Sequence, residues 1–239
     1  MIIIPARIGS SRFPNKVLAD IGGVPMVVRT AMAVASIDRV VIATDSQEVI
    51  EIANTYNIDA VMTASTHQSG TDRIYEAVEQ LGLADEEIII NVQGDEPFIE
   101  VEVVEAIYTL TQRNQTNPSI MMNSCYKAIS NPYADDPNIV KVVTDSKDHA
   151  LYFSRSKLPY PRDHHFDDYK GHLGIYGFTV ASLRLFCSLP PAPLESIEKL
   201  EQLRALYHGY RVAMCEVATE SFGIDTQEDL ERALKHHRL

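Results

Sequence analysis

Short β-branched runs alternate with amphipathic stretches through the first half of the chain, and no other feature narrows the fold as much. Residues 2–4 (Ile-Ile-Ile), 39–44 (Arg-Val-Val-Ile-Ala-Thr) and 87–92 have strand character. Residues 46–56, with Ser46 placed as an N-cap, and residues 101–111 repeat apolar side chains at helical spacing. Strands that are apolar on both faces need cover on both faces. The pattern therefore predicts an α/β fold, Rossmann-like, with a mostly parallel sheet between two layers of helices. Ligands of such sheets bind beyond the carboxyl ends of the strands. That rule selects three loops: residues 5–23, the stretch from Asp45 onward, and residues 93–98.

The second half reads differently. Residues 139–145, 150–154 and 172–180 are strand-like, and a polar loop containing Pro and Asp runs through residues 155–171. Helices are expected at 194–207 and 226–236, with a strand at 212–217 between them. A chain of 239 residues, 45% hydrophobic, suits a single domain spanning 1–239. Within it, residues 125–180 form a smaller, strand-rich and more antiparallel region, expected to lie over the cleft or to pair with another subunit. No apolar run approaches the roughly 18 residues of a membrane span. A strand beginning at Ile2 leaves no room for a signal peptide. Three cysteines (Cys125, Cys187, Cys215) lie far apart. They match neither a disulfide framework nor zinc spacing, which suits free thiols in a reducing cytoplasm.

The formal net charge is -12, which lacks the broad positive field that nucleic-acid or membrane-surface binding requires. Against that background Arg7, Arg12 and Lys16 crowd one loop just after the first strand. Gly9, Ser10 and Ser11 let the backbone approach a ligand closely and add N–H donors. An acidic chain that concentrates cations in this way has an anion to hold there, and a polyphosphate accounts for the composition.

Carboxylates follow. Asp95 sits just past the run Ile-Ile-Ile-Asn-Val, where Gly94 gives backbone room. Its segment is good turn chemistry, but an acid facing a cationic loop is also where Mg²⁺ would bridge protein and phosphate oxygens. Asp225 admits two readings: a metal ligand, or an N-cap of the last helix with Glu228 completing a capping box. Thr226 with Asp229 fits that cap equally well, one residue later. In residues 67–73, Ser69 and Thr71 supply small donors and Arg73 a fork, although a helix cap explains the segment as well.

Eight segments occur in order: Ile-Ile-Pro-Ala-Arg at 3–7, Ser-Ser-Arg-Phe-Pro-Asn-Lys at 10–16, His-Gln-Ser-Gly-Thr-Asp-Arg at 67–73, Asn-Val-Gln-Gly-Asp-Glu-Pro at 91–97, Leu-Tyr-Phe-Ser-Arg at 151–155, His-Leu-Gly-Ile-Tyr-Gly at 172–177, Leu-Glu-Gln-Leu-Arg at 200–204 and Gly-Ile-Asp-Thr at 223–226. Together they resemble the 3-deoxy-manno-octulosonate cytidylyltransferases (CMP-Kdo synthetases), over essentially the whole chain. Departures are Phe13 for Leu, Asn15 where Gly is commoner, and Ile224 for Val; none removes a charge.

The resemblance implies coupling of CTP to the acidic sugar Kdo, giving CMP-Kdo and pyrophosphate, with Mg²⁺ required. It implies that Arg7, Arg12 and Lys16 grip the triphosphate, that Arg7, Lys16 and Asp95 are catalytic, and that Asp95 and Asp225 are the metal ligands. Ala6, Ser69, Thr71, Arg73 and Gln93 would complete the nucleotide site. Arg155, His172, Tyr176, Glu201 and Gln202 would line the sugar pocket. Bidentate Arg155 suits the sugar carboxylate. His172 heads an apolar strand, where a lone His is more often structural. Glu201 and Gln202 are expected in mid-helix. The resemblance also implies a cytoplasmic homodimer serving lipopolysaccharide synthesis. Other acidic sugars, 8-amino-Kdo or sialic acid, are the nearest alternative substrates. A nicotinamide-dependent dehydrogenase would share the sheet, but the first loop lacks Gly-x-Gly-x-x-Gly. A non-catalytic nucleotide sensor would not require both acids and all three first-loop cations.

Overall fold

In the computed structural model, which describes residues 1–9, 13–67, 69–163 and 166–239, the first half alternates strand and helix. The elements are β1 (Ile2–Ala6), α1 (Met26–Val34), β2 (Val40–Thr44), α2 (Gln47–Thr55), β3 (Asp59–Met62), α3 (Gly70–Leu81), β4 (Ile88–Asn91) and α4 (Val101–Asn114). The strands lie side by side as β3-β2-β1-β4, all parallel, with Ile3 opposite both Val41 and Asn91. Side chains alternate across a strand, and the core follows that rule. Ile2 and Ile4 pack with Val27 and Val28 of α1 and Val104 of α4, while Ile3 packs with Ile74, Ala77 and Val78 of α3. All three isoleucines are fully buried, each contributing about 1.5–3 kcal/mol through burial. The expected two-sided cover is present.

The second half supplies β5 (Ile120–Ile129), α5 (Asn131–Ala134), β6 (Lys141–Thr144), β7 (Ala150–Ser154), β8 (Tyr169–Thr179), α6 (Val180–Ser188), α7 (Pro193–Glu198), α8 (Leu203–Tyr207), β9 (Arg211–Glu216) and α9 (Gln227–His237). Here β8 joins β4 antiparallel, with Ile90 opposite Gly177, and β5 and β9 extend the sheet beyond it. The hairpin β6–β7 branches off β8 through Lys141 opposite Gly171. The parallel order thus holds as far as β4, and the antiparallel, strand-rich region begins where the sequence changes character. Gly177 marks the join: a Cβ there would lie 1.9 Å from Thr111 Oγ1, so only glycine lets α4 sit this close to β8.

One expectation needs correction. Residues 194–207 do not form one helix but α7 and α8, broken at residues 199–202 with Lys199 in the left-handed region (φ 56°). The break lets Leu200 and Leu203 both reach the core while Ile197 faces solvent. Arg204 then folds back onto Glu195 with a bidentate fork, Nε at 2.9 Å and Nη2 at 2.5 Å. Glu201 and Gln202 therefore occupy a turn between helices rather than a mid-helix position.

Candidate active site

The carboxyl ends of β1, β2 and β4 open onto one cleft. After β1 come Arg7, which is exposed, and a loop closing in a 3₁₀ turn at Lys16–Leu18. Asn15 precedes that turn at φ 55°, ψ 25°. Glycine and asparagine both tolerate this left-handed geometry, so the substitution noted at this position costs little. The turn aims Lys16 at two acids: Nζ lies 2.6 Å from Asp95 Oδ2 and 2.8 Å from Asp225 Oδ1. Burial alone would lower the ammonium's pKa; the charges of Asp95 and Asp225 and their hydrogen bonds outweigh it and hold Lys16 above the ordinary lysine value.

Both acids are placed by backbone. Gly94 allows β4 to run close under β1, since a Cβ there would lie 3.0 Å from the Pro5 carbonyl oxygen. Ile224 N–H donates to the Asp95 carbonyl at 2.9 Å, docking the segment that carries Asp225. The cap of α9 is Thr226, whose Oγ1 accepts from Asp229 N–H at 3.1 Å in a reciprocal capping box. Of the two readings of Asp225, the cap is thereby excluded, and its carboxylate meets Lys16. Upstream, Lys127 Nζ donates to the carbonyls of Thr219 and Ser221 (3.3 and 3.1 Å), and Ser221 Oγ donates to Glu96 Oε2 at 3.1 Å. Burial first, and the neighbouring Asp95 charge second, push the Glu96 carboxyl up to about 7.

On the cleft's other side stands the N-terminus of α3. Ser69 caps it, accepting from Asp72 N–H at 3.1 Å. Thr71 is buried in its first turn. Arg73, only 3% exposed, points inward: Nη1 reaches Thr63 Oγ1 at 2.5 Å and Nη2 reaches Asp45 Oδ2 at 2.9 Å. Asp45 also accepts from Ile8 N–H at 3.4 Å, so Arg73 braces the first loop from beneath and does not reach into the cleft itself. Gln93 donates to Asn91 Oδ1 and to the Gly174 carbonyl (3.1 and 3.3 Å), joining β4 to β8. Ala6 is the buried last residue of β1. Arg12 lies outside the described residues.

The residues expected to hold a sugar converge next to this cleft. His172 and Tyr176 on β8 have ring centroids 5.6 Å apart. Glu201 lies within reach of the Tyr176 phenol, which its charge perturbs, and of the Thr71 and Ser69 hydroxyls, which favour its carboxylate form. Burial raises the Glu201 carboxyl, with Thr71 opposing, and raises the Tyr176 phenol, with Glu201 adding to it. Burial drives His172 down to about 3, so the ring is neutral. Its Nε2 is 3.0 Å from Ser124 Oγ, which itself donates to the Ile175 carbonyl at 2.8 Å. His172 Nε2–H is then the donor, and Nδ1 remains an acceptor. Glu201 Oε2 and Gln202 Nε2 are buried without a hydrogen-bond partner among the described residues. Arg155 follows the end of β7, its Nε donating to the Glu198 carbonyl (2.7 Å) and Nη1 to the Pro137 carbonyl (3.0 Å).

The sequence model of the family described as "Cytidylyltransferase" matches residues 1–233. A 3-deoxy-manno-octulosonate cytidylyltransferase of Nitratiruptor sp. is 58% identical, covering 97% of each chain. That of Wolinella succinogenes is 52% identical over 98% of each. The chain belongs to the 3-deoxy-manno-octulosonate cytidylyltransferase family. A solved structure of CMP:2-keto-3-deoxy-manno-octonic acid synthetase complexed with CTP superimposes with a TM-score of 0.90 at 40% identity, covering 100% of this chain and 98% of that one. The resemblance carried by the eight motifs is borne out.

Sequence reasoning missed several supports of this cytidylyltransferase site. Asp45 was placed only within a candidate loop, and Thr63, Ser124 and Glu198 carried no signal. Each acts by meeting a partner far away in sequence. No cluster of three or more His, Cys, Asp or Glu side chains is arranged to hold a metal among the described residues. Two carboxylates that share one ammonium nonetheless fit Mg²⁺, which takes one or two protein carboxylates and completes its shell with phosphate oxygens and water.

Proposed function

We propose that this chain couples CTP to Kdo, forming CMP-Kdo and pyrophosphate with Mg²⁺ as cofactor. The relatives' names support this substrate pair over 8-amino-Kdo or sialic acid. The observation that carries the chemistry is Lys16 held between Asp95 and Asp225 at the open end of the sheet. The sugar's anomeric hydroxyl attacks the α-phosphorus in line as the bond to pyrophosphate breaks. Catalysis is then mainly positioning and charge neutralisation. Asp95 and Asp225 would hold Mg²⁺, which when bound would supply positive charge to the triphosphate oxygens. Lys16, released from the two acids, turns its ammonium toward the phosphoryl oxygens, and Arg7 and Arg12 are the further cations of the triphosphate site in this reading. Ser69, Thr71, Gln93 and the Ala6 backbone seat the nucleoside, and Arg73 acts indirectly by fixing Asp45.

The unpartnered Glu201 and Gln202 atoms face the task of bonding sugar hydroxyls, together with His172 Nδ1 and the Tyr176 hydroxyl. Arg155 meets the sugar carboxylate with its terminal Nη1–Nη2 edge. Pyrophosphate release from CTP and Mg²⁺ with Kdo, 8-amino-Kdo or sialic acid tests the reading. Kdo-dependent release is expected; none with any acidic sugar overturns it. We also read the chain as a cytosolic homodimer whose 125–180 region carries both sugar contacts and the subunit interface. Tyr133 and Leu151, large apolar side chains exposed on that region, support it. Among the described residues no helix is long and apolar enough to cross a membrane. A monomer by sedimentation at micromolar concentration would remove the dimer.

A further inference from the structure

Arg155 has an unusual set of partners. Its guanidinium meets only main-chain carbonyls, those of Glu198 and Pro137, and no carboxylate forms an ion pair with it among the described residues. Its own carbonyl accepts from Lys141 Nζ at 2.7 Å, a fully buried ammonium that also serves the carbonyls of Asp136 and Ile139. The Arg155 N–H donates to Glu198 Oε2 at 2.9 Å. The residue is thus fixed at its amide, its carbonyl, Nε and one face of Nη1, while its guanidinium forms no ion pair among the described residues. Nη2 makes no hydrogen bond among the described residues. A guanidinium anchored along one edge by neutral acceptors offers the opposite edge to an anion.

Glu198 supplies two of those anchors and does more. Its Oε1 accepts from Ser154 Oγ at 2.6 Å, and Ser154 Oγ accepts from Ser156 N–H at 3.0 Å. One carboxylate therefore holds the end of β7, while its own carbonyl, at the C-terminal end of α7, takes the Arg155 Nε. Immediately beyond it, Lys199 turns the chain into the segment that carries Glu201 and Gln202. The carboxylate ties the wall bearing Arg155 to the wall bearing the two buried polar side chains.

We infer that Glu198 is a positioning residue that holds Arg155 in register for the carboxylate of the acidic sugar. This rests on the sugar-pocket reading given above, in which Arg155 contacts that carboxylate. Glu198 itself touches neither substrate nor the reacting atoms, so its removal should act through KM for the sugar. Glu198→Ala should raise the KM for Kdo about tenfold, equivalent to about 1.4 kcal/mol. The KM for CTP and kcat should stay within about twofold. Glu198→Gln, which keeps an acceptor for one of the two donors, should fall between Ala and the parent and serves as the readable variant if Ala does not fold. Adding Glu198→Ala to Arg155→Ala should raise the KM for Kdo no further, because the interaction has one route. If Arg155→Ala raises the KM for Kdo and both Glu198 variants leave it unchanged, the positioning role is overturned and the pocket stands. Multiplicative effects in the double variant overturn it as well. If Arg155→Ala leaves the KM for Kdo unchanged, the pocket reading itself fails.

Discussion

The two halves of the sheet solve the problem of buried polarity in opposite ways. On the parallel side, ions compensate one another: Lys16 against Asp95 and Asp225, Arg73 against Asp45. On the antiparallel side the groups facing the cleft are kept neutral or unpaired. His172 is uncharged, Tyr176 stays protonated, and Glu201 and Gln202 each leave a buried atom without a partner among the described residues. Phosphates carry fixed charge and can displace an ion pair by exchange. Sugar hydroxyls are neutral and bind best where the protein's own groups have not already satisfied each other, since each such group otherwise costs about 1–3 kcal/mol. The difference supports the proposed division, with the triphosphate on the parallel half and the sugar on the antiparallel half.

Removing charge on the parallel side should have the largest effect. Lys16→Ala is expected to lower kcat at saturating CTP on the order of 10²–10³. Near-normal turnover would show that the ammonium only holds two acids apart. Asp225→Asn should lose at least about tenfold in turnover and respond less steeply to added Mg²⁺, while its melting curve stays close to that of the parent. An unaltered Mg²⁺ titration would separate the acid from the cation.

The antiparallel side should respond in stability as much as in activity. The folded pKa of His172, about 3, lies below the ordinary 6.5, so the folded state binds fewer protons between those values. Its contribution to stability is complete above pH 6.5 and lost as pH falls toward 3, with a slope of up to about 1.4 kcal/mol per pH unit. Urea titrations of His172→Gln should show a flatter decline across that window; a slope matching the parent would mean the ring is not the proton acceptor. Gln202→Leu should be the mildest for the fold. It leaves stability unchanged or raises it by about 1 kcal/mol, because an unpaired buried amide is exchanged for an apolar group. The KM for the sugar should rise in the same variant. A clear loss of stability would mean the amide has a partner in solution.

Legibility followed the same division. β1, β2 and β4 were visible because their runs are almost continuously apolar, and the cations stood out against an acidic chain. β5 was hidden: its run Ile-Met-Met-Asn-Ser-Cys-Tyr-Lys-Ala-Ile mixes polar and apolar residues, because Asn123 and Ser124 bond across to β8. β3 is four residues at the sheet edge, too short for a pattern. The break between α7 and α8 escaped because Lys199 adopts a left-handed geometry with a side chain that gives no hint of it. The choice between Asp225 and Thr226 as cap rested on a one-residue offset, which local sequence does not distinguish. Glu198 lies in a helix whose spacing is unremarkable; only its contacts with β7 reveal a task.

Lys16 and Asp225 stand 209 positions apart along the chain, yet share one hydrogen bond. A ribosome releasing this polypeptide from its amino end exposes the cationic loop long before the second acid emerges. Until then the loop lacks its distal partner, and a nascent fragment has an incomplete reaction centre. With Asp225 in its proposed role, turnover waits until translation has passed that residue and the segment bearing it has docked onto Asp95, so products cut short before that position should be inert toward both substrates.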